Sequence, residues 1–322
     1  MTCTGTENCI NNLNIPTRFF AEPETFFEYI GGGSYGKVYK YQGRVTEQTV
    51  AIKTPFDNSK VLCDLNEALL KEIKIHKELE NPHIVCYFSA HKCKHTGKHH
   101  IIMEYMENKS LEDKLAAIFD DMNRSRTIPV LKTVKLLKYV EHILRGLVYL
   151  HSEIPDPIIH RDLRADNILL DDSDTAKLAD FGISKRISES NTHESKNTKG
   201  HYLWMAPEIL LKKEEHTGCG GDIWSLGIVI LEMVFRHPNF FITYDNILGK
   251  HQLKEIHKNR IFKKNILKPL LGKIKSRDTR TLLNECLEDN VPDRKTSPEL
   301  LHLVEQMKSN RRSSNLQPPS KK

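Results

Sequence analysis

The sequence lacks an apolar run long enough to cross a membrane. Its most apolar stretch, residues 224–235, contains Ser225 and Glu232, and at about 12 residues it falls short of the roughly 20 that a membrane-spanning helix needs. We therefore expect this stretch to be a buried helix. The first residues show neither a basic region nor an apolar segment, and Thr2 stands where N-myristoylation requires glycine. We expect no signal peptide, no membrane span, and a cytoplasmic or nuclear location.

The sequence also has few cysteines and a small net charge. The seven cysteines are odd in number and scattered over 322 residues, which is typical of a reduced intracellular protein and not of a disulfide-stapled scaffold. The net charge is +6, but the last fifteen residues contribute five basic residues and no acid. The rest of the chain is nearly neutral, so no nucleic-acid partner is indicated.

Strand-like patterns dominate the first third of the chain, and helical periods dominate the rest. Short β-branched and aromatic runs predict strands at 27–30, 37–41, 49–53, 84–90 and 99–105. Apolar residues at helical spacing predict helices at 65–79, 111–122, 130–151, 222–235, 247–258, 279–287 and 297–309. A strand pair at 167–170 and 175–179 interrupts the helical part. We expect residues 1–25 to be a flexible segment and 310–322 a basic disordered tail.

A Gly-x-Gly-x-x-Gly motif spans Gly31 to Gly36. Glycines allow backbone amides to approach phosphate oxygens without side-chain obstruction. A strand follows where a dinucleotide-binding site would require a helix, so that variant is excluded. Alone, the motif is equally compatible with a glycine hairpin, and Lys53 at the end of a later strand with a solvated surface charge.

Three further motifs occur in order: HRDLRADN at 160–167, DFG at 180–182 and APE at 206–208. Together with the glycine motif, this set resembles a eukaryotic protein kinase of the Ser/Thr type, in the tyrosine-kinase-like or MAP-kinase-cascade-like group. The resemblance implies an α+β, two-lobed protein kinase fold. It implies a domain at 26–309, with a small β-rich N-lobe containing one helix at 26–103 and a larger helical C-lobe at 104–309.

The resemblance also implies a reaction, the transfer of the γ-phosphoryl group of Mg-ATP to Ser/Thr hydroxyls of protein substrates. Lys53 would contact the α- and β-phosphates, and a helix glutamate would orient it. We choose Glu72 over Glu67 because Glu72 lies ten residues before Pro82, which resembles the family's spacing. Asp162 would orient the acceptor hydroxyl and take its proton.

The remaining site positions carry over by matching. Asn167 and Asp180 would bind Mg²⁺ through oxygen ligands, and Arg164 would reach a phosphate. The nucleotide contacts implied are Ile30, Gly31, Gly33, Gly36, Val38, Ala51, Lys53, Met103, Glu104, Met106, Leu169 and Asp180. Two structural roles are implied as well: Glu208 would pair with Arg294, and Asp222 would hold the backbone of the catalytic loop.

Three positions depart from the family pattern. Arg164 stands where Ser/Thr kinases carry Lys, and His201 where they carry a Thr that bonds the catalytic loop. A dual-specificity or tyrosine kinase therefore stays an alternative, as does a pseudokinase that binds nucleotide and acts as a scaffold. His76 replaces an apolar core residue, so it is either a neutral core histidine or a source of pH sensitivity.

Two segments suggest regulation or binding. Residues 183–199 resemble an activation loop whose phosphate would pair with Arg161, with Thr198 the first candidate and Ser195 the second, and an upstream activating kinase as partner. The alternative is that these hydroxyls only solvate a loop. Cysteines and histidines at 86–100 are compatible with a metal site or a solvated hairpin, but they lack the usual zinc spacings.

Overall fold

The computed structural model describes residues 15, 20, 27–33, 36–43, 48–56, 62–125, 131–188, 201–211, 218–235, 255 and 267–316. The chain divides into two compact units, the first from 1–109 with 169–184 and the second from 110–168 with 185–322. The domain and lobe boundaries expected from the sequence stay predictions.

The strands are β1 (Glu28–Gly33), β2 (Gly36–Gln42), β3 (Thr49–Pro55), β4 (Tyr87–Lys92), β5 (His99–Glu104), β6 (Ile158–Ile159), β7 (Ile168–Leu170), β8 (Ala176–Leu178) and β9 (Lys185–Arg186). The helices are α1 (Leu62–His76), α2 (Leu111–Ser125), α3 (Thr133–Val148), α4 (Pro207–Leu210), α5 (Gly220–Phe235), α6 (Lys268–Lys273), α7 (Arg277–Cys286) and α8 (Ser297–Leu316).

The first unit is built on an antiparallel sheet of five strands in the order β1-β2-β3-β5-β4. Helix α1 packs on β3 and β5, burying the apolar stripe that includes Leu69 and Ile75. Strand alternation gives the sheet two distinct faces. Val50 and Ile52 join an apolar cluster on one face, which leaves the intervening residues of β3 to line the other.

The second unit is mainly helical. Helix α5 is buried along almost its whole length, because residues 220–235 are apolar on every side of the helix. Helices α3 and α7 pack against α5, and α8 packs against α3. The structure confirms the predicted α+β class, with a small β-rich part and a larger helical part. Among the described ranges, none of the helices has the length and apolarity that crossing a bilayer would require.

The flexible segment expected at 1–25 stays a prediction, and the structure describes two of its residues, Ile15 and Phe20. The Phe20 side chain is only 2% exposed and packs edge-on against Phe27, with ring centroids 5.9 Å apart. It also stacks on His91 at 4.2 Å between ring centroids. The apolar sheet face needs a cover, and Phe20 supplies part of it.

Helix α8 continues to Leu316 and so enters the segment 310–322, whose disorder stays a prediction. Arg311 within this extension donates to the Asp278 carboxylate at 2.6 Å, which favours the helical conformation. The helix predicted at 247–258 lies outside the described residues, apart from Glu255. Short elements such as β6, β9, α4 and α6 were missed because they are too brief to show a period.

Candidate active site

Lys53 is the centre of a buried charge cluster in the first unit. It is 4% exposed, and its Nζ donates to the two Glu72 carboxylate oxygens at 2.8 and 2.7 Å. The same Nζ donates to Asp180 Oδ1 at 2.9 Å. The ammonium therefore stands between two carboxylates, one from α1 and one from the turn after β8.

The position of Glu72 follows from the periodicity of α1. Glu72 lies three residues after buried Leu69 and three before buried Ile75, so helical geometry directs it toward the sheet. Glu67 lies on the outer surface with its side chain 67% exposed and pairs with Lys71 at 3.4 Å. Of the two candidate glutamates, the structure brings Glu72 to Lys53.

The neighbouring carboxylates keep Lys53 protonated although its side chain is buried. Burial would lower the pKa of Lys53, but the carboxylates of Asp180 and Glu72 raise it above its ordinary value. Burial raises the pKa of Glu72 to about 7, against the opposing attraction of Lys53. A permanently charged ammonium in a low-dielectric setting attracts anions strongly.

Asp180 is held in an unusual backbone conformation, with φ at +63°. Non-glycine residues rarely adopt this left-handed region, and such strain concentrates at functional sites. Its Oδ1 also accepts a hydrogen bond from the Gly182 N–H at 3.3 Å. The DFG turn thus aims the Asp180 carboxylate at Lys53.

Three predicted nucleotide contacts, Val38, Ala51 and Met103, share the sheet face of Lys53. Val38 is directly opposite Lys53 in the β2–β3 register, and Met103 is directly opposite Ala51 in the β3–β5 register. Directly paired residues project to the same face. Met103 and Leu169 also pack on the buried cluster that contains Met106.

The remaining glycine-motif and hinge positions are placed as follows. Ile30 is exposed on β1, Gly31 has φ at +154°, and Gly33 pairs with Gly36. A side chain at Gly36 would meet the Thr54 carbonyl oxygen at 2.0 Å, so only glycine fits there. The Glu104 N–H donates to the Cys86 carbonyl at 2.9 Å, and Lys177 Nζ contacts its carboxylate at 2.5 Å.

Asp222 of α5 holds the backbone of the loop at 160–167, the predicted catalytic loop, in the second unit. The buried Asp222 carboxylate accepts hydrogen bonds from the backbone N–H of His160 at 2.8 Å and of Arg161 at 2.9 Å. Arg161 has φ at +69°, and these bonds stabilise that turn. The structure confirms the predicted role of Asp222.

A histidine that the sequence reasoning missed completes this support. His151 Nε2 lies 2.9 Å from Asp222 Oδ2. Burial would raise the pKa of Asp222, but the bonds and charges of His151, His160 and the Arg161 N–H bring it below its ordinary value. His151 has no motif of its own, so spacing alone could not have identified it.

Asp162 and Asn167 face each other within the loop. Asn167 Nδ2 donates to the Asp162 carbonyl at 2.8 Å and to Asp162 Oδ2 at 3.0 Å. Asp162 Oδ1 is buried and accepts no hydrogen bond from the described residues. Asn167 therefore fixes Asp162 Oδ2, and Asp162 Oδ1 can still accept a hydrogen bond from a ligand.

Arg164 is fixed on both sides. Its Nε donates to Asp166 Oδ1 at 2.8 Å, and a second guanidinium nitrogen contacts the other carboxylate oxygen. Its Cζ lies 5.0 Å from the centroid of the Trp204 ring. Sequence reasoning placed Arg164 at the site but missed this partner.

His76 behaves as a neutral core residue. Its Nε2 lies 2.7 Å from the Val85 carbonyl oxygen, a geometry in which the ring nitrogen donates. Its ring lies against Phe181 and Tyr87, with centroids 5.1 and 5.6 Å away. Burial lowers the pKa of His76 to about 4, which keeps the ring neutral near pH 7.

The APE glutamate forms the predicted pair with Arg294. Arg294 donates to the two Glu208 carboxylate oxygens at 2.7 and 3.1 Å, and to the Gly220 carbonyl at 2.8 Å. Both side chains are buried. A bidentate buried pair of this kind fixes Glu208 at the start of α4.

Two predicted features gain no support or lie outside the described part of the chain. Ser195 and Thr198 belong to the stretch 189–200, which the structure does not describe. Within the described residues, no three His, Cys, Asp or Glu side chains are grouped as a metal site would require. In the hairpin, His91 and His100 instead pack on Phe20.

Comparison with known proteins adds an independent finding. A family model described as "Protein kinase domain" matches residues 25–304. The Serine/threonine-protein kinase pakH of Dictyostelium discoideum is 36% identical over 220 residues, which cover 67% of this chain. The match covers 38% of that relative, so the chain spans well under half the relative's length.

Proposed function

Because the chain belongs to the protein kinase family, we propose that it transfers the γ-phosphoryl group of Mg-bound ATP to Ser/Thr hydroxyls of protein substrates. The observation that carries this proposal is the buried Lys53–Glu72–Asp180 cluster on the sheet face of Val38 and Ala51. The Ser/Thr acceptor class rests on the pakH relative and on the sequence WMAPE at 204–208.

The residues present fit a nucleotide. Lys53 offers a fixed positive charge to phosphate oxygens. The face with Val38, Ala51 and Met103 is apolar, as an adenine ring requires. The Met106 N–H donates to no backbone acceptor among the described residues, so it is available to the base.

The residues also fit Mg²⁺, which protein kinases generally use with ATP. Asp180 supplies carboxylate oxygen, and Asn167 Oδ1 accepts no hydrogen bond from the described residues while its Nδ2 is engaged. Hard oxygen donors of this kind are what Mg²⁺ prefers. When bound, the ion would neutralise charge on the phosphates.

The loop residues supply the acceptor side of the reaction. Asn167 holds Asp162 Oδ2 in place, so Asp162 Oδ1 can accept the proton of the substrate hydroxyl. Asp222 fixes the loop backbone beneath it, which places the carboxylate without further reorganisation.

We further propose that phosphorylation of the activation loop, first at Thr198 and then at Ser195, by an upstream kinase regulates this activity. Arg161 precedes the proposed catalytic Asp162 and offers a guanidinium to such a phosphate. A cytoplasmic or nuclear location is part of the same proposal. Replacing Thr198 and Ser195 by Ala together should lower activity; unchanged activity would contradict regulation at these sites.

The test of the main proposal is mass spectrometry after incubation with Mg·ATP and a mixed Ser, Thr and Tyr peptide substrate. We expect phospho-Ser or phospho-Thr that is absent with Asp162→Asn. Phospho-Tyr would contradict the acceptor class and favour the tyrosine-kinase alternative. Nucleotide binding without transfer, also after a Thr198→Glu change, would favour a pseudokinase scaffold.

A further inference from the structure

Trp204, three residues before the APE proline, joins two parts of the second unit. Its Nε1–H donates to Glu232 Oε2 at 3.0 Å, and its carbonyl accepts from Ser225 Oγ at 2.8 Å. Glu232 and Ser225 both belong to α5. Both the backbone and the side chain of Trp204 are thus hydrogen-bonded to α5.

Glu232 is a deep anchor for the indole. It is 4% exposed, although it interrupts the most apolar helix of the chain. Burial raises its pKa to about 8, and the hydrogen bond from Trp204 opposes this shift. A buried carboxyl group is retained at a cost to stability unless it is hydrogen-bonded, so its indole partner is tightly specified.

The indole ring in turn supports Arg164. The guanidinium lies 5.0 Å from the ring centroid and is held by Asp166 from its edge. A planar guanidinium can stack flat on an aromatic ring and pair with a carboxylate through two N–H groups, a geometry that a lysine ammonium lacks. Arg164 stands two residues after Asp162, so the stack fixes a charge beside the acceptor site.

We propose that Trp204 is a positioning residue for Arg164, which it holds in the orientation needed beside Asp162 during phosphoryl transfer. This inference rests on the proposed kinase function. Two acidic side chains of α5 then act on the loop at 160–167, and Glu232 also accepts a hydrogen bond from the Ala165 backbone. Asp222 fixes the loop backbone, and Glu232 fixes the loop arginine through Trp204.

The same arrangement accounts for His201. In Ser/Thr kinases this position carries a Thr that bonds the catalytic loop, as the sequence resemblance states. Here His201 instead makes an edge contact with Trp204, with ring centroids 5.9 Å apart and planes at 87°. The stack of Arg164 on Trp204 supplies the link between the two segments, and His201 buttresses it.

A double-mutant cycle tests the proposal, with Trp204→Leu and Arg164→Lys made singly and together. We expect each single change to lower kcat at least tenfold while the KM for the peptide stays within twofold. Because Trp204 acts through Arg164, the double variant should be no more than about threefold slower than Arg164→Lys alone. The variant Trp204→Phe, which keeps a ring but loses the N–H donor, should lie between Trp204→Leu and the wild type.

The second tryptophan offers a matched control. Trp224 also lies under an arginine, with Arg294 Cζ 5.3 Å from its ring centroid, but that arginine pairs with Glu208. We expect Trp224→Phe to lower the unfolding temperature and leave kcat within twofold. Thermal unfolding of every variant checks folding, and if Trp204→Leu does not fold, the cycle is run with Trp204→Phe.

The outcomes separate this inference from the function on which it rests. Losses in kcat that multiply in the double variant, or a rise in peptide KM at constant kcat, would overturn the positioning role in an active enzyme. A wild-type protein that transfers no phosphate, even with Thr198→Glu, would overturn the proposed function and this inference with it.

Discussion

Two buried charged sites, one in each unit, are satisfied in opposite ways. In the first, two carboxylates share the single ammonium of Lys53. In the second, the single carboxylate of Asp222 accepts two backbone N–H groups and contacts His151. The first arrangement depends on a charge and suits an anionic ligand, whereas the second depends on backbone geometry and suits a rigid loop. The first site is therefore suited to binding a ligand, and the second to positioning the loop.

The same contrast appears along one helix. Asp222 and Glu232 are both buried on α5, yet the pKa of Asp222 is below its ordinary value and that of Glu232 is raised to about 8. Burial raises both pKa values. Asp222 has enough donors to overcome burial, and Glu232, whose main donor is the Trp204 indole, does not.

The largest effect is expected from Lys53→Met. The change leaves Glu72 and Asp180 without their cation, so the free energy of unfolding should fall by about 3–5 kcal/mol. Denaturant titration measures it. Adding Glu72→Gln should recover part of the loss, and failure to recover any would contradict the charge-based account. Lys71→Met on the outer face of the same helix is the matched control.

A smaller loss is expected from Asp222→Asn. An amide can accept only through one oxygen, so one of the His160 and Arg161 N–H groups loses its acceptor, at a cost of about 1–3 kcal/mol. Unlike Lys53→Met, this variant should keep its affinity for Mg·ATP while kcat falls. Unchanged kcat would show that the loop keeps its shape without Asp222.

The contrast between the α5 carboxylates predicts opposite pH dependences. With its pKa raised from 4.5 to about 8, Glu232 holds a proton in the folded state that the unfolded chain has released. Its contribution to the free energy of unfolding is therefore lost as the pH rises through this window. Asp222, whose pKa is lowered, contributes stability that is lost as the pH falls below its ordinary range.

Glu232→Gln isolates the first of these dependences. Thermal unfolding between pH 5 and 8 should show a flatter profile for this variant than for the wild type. Identical profiles would mean that Glu232 does not change its protonation on unfolding.

The smallest effect is expected from Glu67→Gln. The Glu67–Lys71 pair is exposed, and surface pairs at this spacing contribute only about 0.3–0.5 kcal/mol. Unfolding free energy and kcat should both stay near wild type, in contrast to Glu72→Gln. A large loss of kcat would mean that the wrong glutamate is assigned to Lys53.

The sequence predicted the roles of residues that lie in a regular apolar pattern or in one of the ordered motifs. The spacing to Pro82 distinguished Glu72 from Glu67, and the family resemblance named Ala51 and Lys53, which the structure places on one sheet face. The resemblance to the family also implied the Glu208–Arg294 pair, which the structure contains.

Sequence reasoning failed where a partner is chosen by tertiary packing. Phe20 stands outside any period, and only the apolar sheet face shows why it is buried. The sequence does show Glu232 as an acidic residue within an apolar helix, but spacing does not predict that its partner is Trp204. Within the extension of α8, Arg311 contacts Asp278, 33 residues away in the sequence, and spacing does not predict that contact.

We propose that nucleotide binding and phosphoryl transfer depend on separable groups of residues. The most direct test measures Mg·ATP affinity by calorimetry and peptide phosphorylation on the same preparations of wild type and Asp162→Asn. We expect equal affinity within about threefold, with transfer reduced at least 100-fold, since a general base contributes about 10²–10⁴. Retained transfer in Asp162→Asn, or loss of both properties together, would contradict the account.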